Sequence, residues 1–439
     1  MQPREPAATT HPDAAAAARA RLAAELRHHG RALDPAVQKA FARVPRHVFV
    51  PEVGPAAAYR DEALVIKCGA DGLPVSSSSQ PAMMAIMLDQ LDIRRGDRVL
   101  EIGTGSGYNA AVMAEVVGDS GQVVSIDIDP ELVARASASL ARAGYDTVVV
   151  KCADGGFGDP DGAPYDRIIV TAGAWDIAPA WLNQVGQGGL LVLPLSVRGI
   201  QLSVALRRDD SPPCEAGPAG YWPRTGGVWH CTSAWRCGFV RMLGAFAGPE
   251  TVLRLAEPRP LFAQMSDGSP VDGGALQAAL ASRTADEQVP WSDGLADLAD
   301  LDLWLTLTAA ELDRVTLLAA PGGWFELASL LPLGGLVAHA RASDLGVAML
   351  LPAGAGRDGL AARHRPGVLI RGYGSGGAEL AGYLTGRAGL WADLGRPGVG
   401  DIQLSVLEGG EAERPDRAEA PGGLVLARPS VTIAVGWPG

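Results

Sequence analysis

Three glycines at alternate positions, Gly103, Gly105 and Gly107, follow the apolar run Val99-Leu100-Glu101-Ile102 and precede a helix-forming stretch. Few local patterns constrain a fold more tightly. A strand that turns into a helix across such a loop builds a βα unit. Glycine, lacking a Cβ, tolerates positive φ and lets the backbone approach a ligand closely. The next predicted strand, Gln122-Val123-Val124-Ser125-Ile126-Asp127, ends in an acid 20 residues after Gly107. A carboxylate there can accept both hydroxyls of a ribose. The spacing is G-x-G-x-G. A loop that seats a pyrophosphate on a helix N-terminus places its third glycine one position later. The shorter form suits a nucleoside without a phosphate, and S-adenosylmethionine is the ligand it points to.

The surroundings extend this unit into a domain. Residues 76–206 read as alternating elements, with strands near Arg98–Ile102, Gln122–Asp127, Thr147–Lys151, Asp166–Val170 and Gly189–Pro194. Helices are predicted over Pro81–Leu91, Ala110–Val117 and Pro130–Ala143. Short apolar strands separated by helices imply a doubly wound α/β sheet covered on both faces, with its ligand at the carboxyl ends of the strands. Gly103, Asp127 and Asp154 all fall at such ends. Ahead of this region, Asp13–His29 and Pro35–Arg43 are helical in pattern, and Val44–Pro51 reads as a proline-bracketed extended segment. Behind it, Leu206–Arg224 reads as a polar loop, and a boundary is expected near Ala247–Glu250. The remainder is an α+β region, with strand-like runs at Leu303–Leu307, Gly346–Leu351, Val368–Ile370, Asp401–Leu407 and Val431–Val435. Helices are expected near Ala275–Ala281 and Ala378–Leu394, and an exposed loop over Glu408–Ala420. The expected division is a tail and helix at 1–29, a nucleoside-binding domain at 30–247 and an accessory domain at 248–439.

Composition narrows the partners. The 439 residues carry a net charge of −12 and no cluster of basic residues, which argues against nucleic acid. No apolar run is long enough to span a bilayer, and the first residues lack a signal-peptide layout, so a cytoplasmic protein is expected. Five scattered cysteines do not suggest a disulfide framework. Cys231, Cys237 and His230 invite a zinc reading, but no second close pair completes four ligands, and no metal is expected.

The segment Pro74-Val75-Ser76-Ser77-Ser78-Ser79-Gln80-Pro81 is the second notable feature. Ser79 or Gln80 sits where a helix cap is expected. The serine hydroxyls can also donate to a substrate carboxylate. Such an acceptor is already ionised at neutral pH and needs no general base. The glycine loop has no His or Lys beside it in sequence, which suits that chemistry.

With these pieces in place, the chain resembles the protein-L-isoaspartate O-methyltransferases. The resemblance is carried by Val44-Pro45-Arg46-His47-Val48-Phe49-Val50-Pro51, Ala58–Leu64, Ser77-Ser78-Ser79-Gln80-Pro81, Val99–Tyr108, Asp154-Gly155, Ala163–Ala172 and Gly188–Pro194, which occur in family order. It covers about residues 30–245. It implies a Rossmann-like class I methyltransferase domain using S-adenosylmethionine. It also implies roles: Ser79 beside the substrate carboxylate with Ser77 in the neighbouring slot, and Ser79, Gln80, Glu101, Gly103, Thr104, Gly105, Ser106, Gly107, Asp127, Ile128, Asp154 and Gly155 around the cofactor. Asp127 stands where the family usually has Glu.

Two departures bear on the substrate. The stand-alone repair enzymes of the family end soon after this domain, whereas this chain adds about 190 residues. Ser78 also replaces a typical aliphatic residue. In its extension the chain resembles family members that methylate an aspartate of a ribosomally made peptide, whose ester then cyclises to aspartimide. That is the expected function, with repair of isoaspartyl residues in damaged proteins as the alternative. A peptide or protein substrate is expected either way.

Overall fold

The structure is a computed structural model that describes residues 12–30, 33–70, 72–209, 227–249, 251–255, 261–265, 271–289, 295–319, 336–341, 345–352, 367–409, 419–420 and 423–437. It divides into two compact units. One comprises residues 1–194, 203–208 and 239–247; the other comprises 195–202, 209–238 and 248–439. The accessory unit therefore draws on two segments that precede the boundary expected at 247. The N-terminal helix, expected to stand apart, belongs to the first unit.

The first unit opens with four helices, α1 (Pro12–His28), α2 (Pro35–Arg43), α3 (Arg46–Phe49) and α4 (Pro55–Ala58). The Asp34 carboxylate caps α2 by accepting from the amides of Ala36 and Val37 at 2.7 and 3.1 Å. The turn α3 replaces the extended segment expected there. A hairpin follows, β1 (Leu64–Cys68) with β2 (Pro74–Ser78), and then α5 (Pro81–Leu91), which is apolar and buried on most of its surface. The sheet is built from β3 (Arg98–Ile102), β4 (Gln122–Asp127), β5 (Val149–Cys152), β6 (Tyr165–Val170), β7 (Val185–Val197) and β8 (Ile200–Arg208) in the order 5-4-3-6-7-8. Strands β3 to β7 pair in parallel. The connections carry α6 (Tyr108–Val117), α7 (Pro130–Ala143) and α8 (Pro179–Gln184). Val99, Leu100, Ile168, Ile169 and Val170 are buried, as strands covered on both faces require. Strand order reverses at β3, whose neighbours are β4 and β6, so the crevice above its carboxyl end is where a ligand belongs.

The second unit holds β9 (Val228–Cys237), β10 (Thr251–Arg254), β11 (Leu261–Met265), α9 (Gly273–Leu280), β12 (Arg283–Val289), α10 (Leu295–Thr308) and β13 (Asp313–Ala319). It continues with β14 (Leu336–Arg341), β15 (Gly346–Pro352), β16 (Val368–Tyr373), α11 (Gly377–Asp393), β17 (Gln403–Glu408), β18 (Glu419–Ala420), β19 (Gly423–Ala427) and β20 (Val431–Gly436). Seven strands form an antiparallel sheet in the order 10-11-13-14-15-16-12, with α11 packed on β12, β15 and β16. Strand β17 pairs antiparallel with both β9 and β20.

Leu303–Leu307, expected as a strand, lies in helix α10 instead. The alternation of Asp, Leu and Thr around it suggests two faces, but Leu301, Asp302, Leu303, Trp304, Leu305, Thr306 and Leu307 are all buried. The Asp302 carboxylate receives the Arg314 guanidinium at 3.1 and 3.0 Å and Arg236 Nη2 at 2.9 Å; His339 Nε2 lies 3.5 Å away. Burial alone would raise its pKa, but Arg314, His339 and Arg236 hold it well below the usual carboxylate range. Of the loop expected over Leu206–Arg224, the first residues finish β8 and residues 210–224 lie outside the described residues. Most of Glu408–Ala420, Trp222 and Cys214 also lie outside them. No helix among the described residues is long and apolar enough to cross a membrane.

Candidate active site

Strand β3 ends with Glu101 and Ile102 buried beneath the glycine loop. Ser125 Oγ donates to Glu101 Oε2 at 2.6 Å and Asn109 Nδ2 to Oε1 at 2.8 Å. Burial outweighs these bonds and pushes the carboxyl up to about 7. Above it, the amides of Gly103 and Thr104 donate to the Ile126 carbonyl, and Thr171 Oγ1 donates to the Gly103 carbonyl at 2.7 Å. The loop is thereby held between β4 and the end of β6.

Asp127 ends β4. Its Oδ2 accepts from the Gly105 amide at 2.9 Å and its Oδ1 from the Asp129 amide at 3.0 Å. Burial raises its pKa, opposed by these amide bonds. The carboxylate is thus oriented by backbone and lines a cavity together with Ile128, Asp129 and Leu132. Asp129 is independently paired with Lys67 at 2.5 Å.

The serine loop meets the glycine loop directly. A Cβ added at Gly105, where φ is +52°, would sit 3.3 Å from the Ser77 carbonyl and 3.6 Å from Ser76 Oγ. Only glycine permits this approach. Two residues hold the serine loop from behind, and the sequence reading missed both. The buried Arg46 guanidinium donates to the carbonyls of Ala58, Arg60, Glu62, Ser78 and Ser79 at 2.9 to 3.3 Å. Asp61 Oδ1 accepts from the Ala82 amide at 2.8 Å and so caps α5, and its Oδ2 accepts from Gln80 Nε2 at 3.1 Å. The cap is not Ser79, and Gln80 makes no side-chain cap bond. Both residues lie in segments singled out for their resemblance, and an arginine directly after Pro45 in a mostly apolar stretch was the available signal.

The cavity gathers Ser77, Ser79, Glu101, Gly103, Thr104, Gly105, Ser106, Asp127, Ile128 and Gly155 from the expected set. Three expected residues lie outside its wall. Gln80 is turned onto Asp61. Gly107 serves helix packing: its φ is +83° and an added Cβ would meet Ala136 Cβ on α7 at 3.1 Å. Asp154 spends its carboxylate on the amides of Gly156 at 2.9 Å and Ala245 at 2.8 Å, the second of which anchors a later segment. That segment, Phe239–Leu243, completes the wall. Nothing near it in sequence marks it, because the glycine loop is more than 130 residues away.

Residues 17–216 match the protein-L-isoaspartate(D-aspartate) O-methyltransferase (PCMT) family. The chain is 45% identical over 193 residues to protein-L-isoaspartate O-methyltransferase 2 of Archaeoglobus fulgidus, an alignment covering 44% of this chain and 84% of that relative. The chain belongs to the protein-L-isoaspartate O-methyltransferase family. A second relative, from Ignicoccus hospitalis, is 47% identical over 159 residues, covering 36% of this chain and 72% of its own. The chain is therefore a methyltransferase, and its methyl donor is S-adenosylmethionine.

The residues present fit that donor. Ser78 Oγ, Tyr108 Oη and Asn109 Oδ1 belong to cavity-lining residues and are buried without a hydrogen-bond partner. Such groups are costly unless something bound satisfies them. Asp127 would hold the ribose hydroxyls, Ile128 and Leu132 would offer apolar surface to the base, and the glycine loop would allow a close approach. Among the described residues no His or Lys lines the cavity.

Proposed function

We propose that this chain transfers a methyl group to the free carboxylate of isoaspartyl residues in polypeptides. The contact between Ser77 and Gly105 supports this reading, because the hydroxyl-bearing loop lies against the glycine loop proposed to seat the donor. S-adenosylmethionine, when bound, supplies a methyl carbon on a positively charged sulfur. The chain's own task is then alignment and exclusion of water. Ser77 and Ser79 orient the acceptor carboxylate, Arg46 fixes the backbone that presents them, and Met84 and Met87 line the cavity with apolar surface. An ionised carboxylate attacks without a general base.

A second reading rests on a separate observation. The family match ends at residue 216, whereas a second folded unit is built largely from 248–439. In that reading the second unit recruits one particular peptide, whose ordinary aspartate is methylated and then cyclises to aspartimide.

One experiment separates them. The full chain is incubated with S-adenosylmethionine and matched peptides containing isoaspartate or aspartate, and products are mapped by mass spectrometry. A methyl ester on isoaspartate supports the first reading; turnover of aspartate alone supports the second. Methylation on nitrogen, sulfur or an alcohol overturns both. Ser79→Ala should lower turnover by about 10- to 100-fold while leaving donor affinity within about two-fold, because its hydroxyl serves the acceptor.

A further inference from the structure

Among the described residues lining the cavity, Arg241 is the sole cation; the other ionisable groups there include the carboxyls of Glu101, Asp127 and Asp129. Those acids are already served: Glu101 by Ser125 and Asn109, Asp127 by two backbone amides, and Asp129 by Lys67. Other arginines of the chain, such as Arg46, Arg167 and Arg314, are bound to carbonyls or carboxylates. Among the described residues the Arg241 side chain has no such partner.

Its backbone, in contrast, is pinned. The Gly173 amide donates to the Val240 carbonyl at 2.8 Å, and the Met242 amide donates to the Gly173 carbonyl at 3.0 Å. Met242 is buried, and Asp154 fixes the chain again at Ala245. A segment pinned at both ends thus carries an exposed arginine, without a side-chain partner among the described residues, in the wall of the cavity that contains the serine loop. Arg241 also lies beyond residue 216, where the family match ends.

We propose that Arg241 binds the carboxylate to be methylated and selects anionic acceptors; this rests on the carboxyl methylation proposed above. The Asp127 carboxylate disfavours a second carboxylate in this cavity, and a guanidinium in the wall offsets that repulsion. One acceptor oxygen takes the guanidinium and serine donors. The other attacks the methyl carbon, and the carbon–sulfur bond breaks with its electron pair left on sulfur. No proton moves.

The test uses the full chain and an isoaspartyl peptide with an amidated C-terminus and no other acid, so that the acceptor is its only carboxylate. Arg241→Gln should raise the KM by about ten-fold or more, with kcat within about three-fold and the Kd for S-adenosylhomocysteine unchanged. Arg241→Lys should recover part of the loss, and raising ionic strength should increase the KM of the parent far more than that of Arg241→Gln. An unchanged KM in Arg241→Gln overturns the proposal. So does a parallel loss of S-adenosylhomocysteine affinity, which would assign the guanidinium to the donor's carboxylate. A parent enzyme that methylates no carboxylate at all removes the underlying function as well, an outcome visible before any variant is made.

Discussion

Glu101 shows how a single buried acid can couple this site to pH. Burial pushes its carboxyl from 4.5 up to about 7, so the folded chain holds the proton more tightly than the unfolded chain does. The stability this contributes is full below about pH 4.5 and is lost as pH rises towards 7, a swing on the order of 3 kcal/mol. Glu101→Gln cannot ionise. Its amide can still accept from Ser125, and it can donate to Asn109 Oδ1, which has no partner. Thermal unfolding at constant ionic strength should therefore show the Tm of the variant rising relative to the parent between pH 5 and pH 8. Parallel Tm curves across that range would mean that Glu101 is ionised throughout.

At the scale of elements, the glycine loop and its strands were legible because local chemistry and tertiary role agree. Strands β3 and β4 begin and end where their apolar runs do. Legibility failed where tertiary contacts decide. Within Val44–Pro51, Arg46–Phe49 winds into α3, and its Arg46 donates to five carbonyls contributed by residues 58–79. Helix α10 hides its period because it is buried all round and carries an acid neutralised by residues far along the chain. Within the site, the glycine loop was readable from spacing, whereas Phe239–Leu243 reaches the cavity only through the fold. Gly107 was read as a cofactor contact because it shares the motif, yet it governs how α6 starts against α7. Gly107→Ala should cost roughly 2–4 kcal/mol from left-handed strain and crowding at Ala136. Urea unfolding monitored by circular dichroism measures it, and a loss below about 0.5 kcal/mol would show that α7 shifts freely.

For the whole molecule, the chain passes back and forth between its two units before the second is complete. Strand β9 pairs with β17 through Val228, Trp229 and His230, and Trp229 Nε1 donates to Glu408 at 2.6 Å. Arg236 reaches Asp302, and Arg198 donates to the carbonyls of Thr306 and Ala310 at 2.8 and 2.9 Å. A chain ending at residue 247 would strand all of these groups without partners. Such a truncation should be mostly insoluble or rapidly degraded by trypsin, as gel filtration and limited proteolysis would show. A monodisperse, protease-resistant product would indicate that 195–202 and 209–238 are dispensable. Anyone building chimeras with the shorter relatives meets the same threading. A crossover at a single point divides a co-dependent set, so 195–202, 209–238 and 248–439 must be exchanged as one cassette.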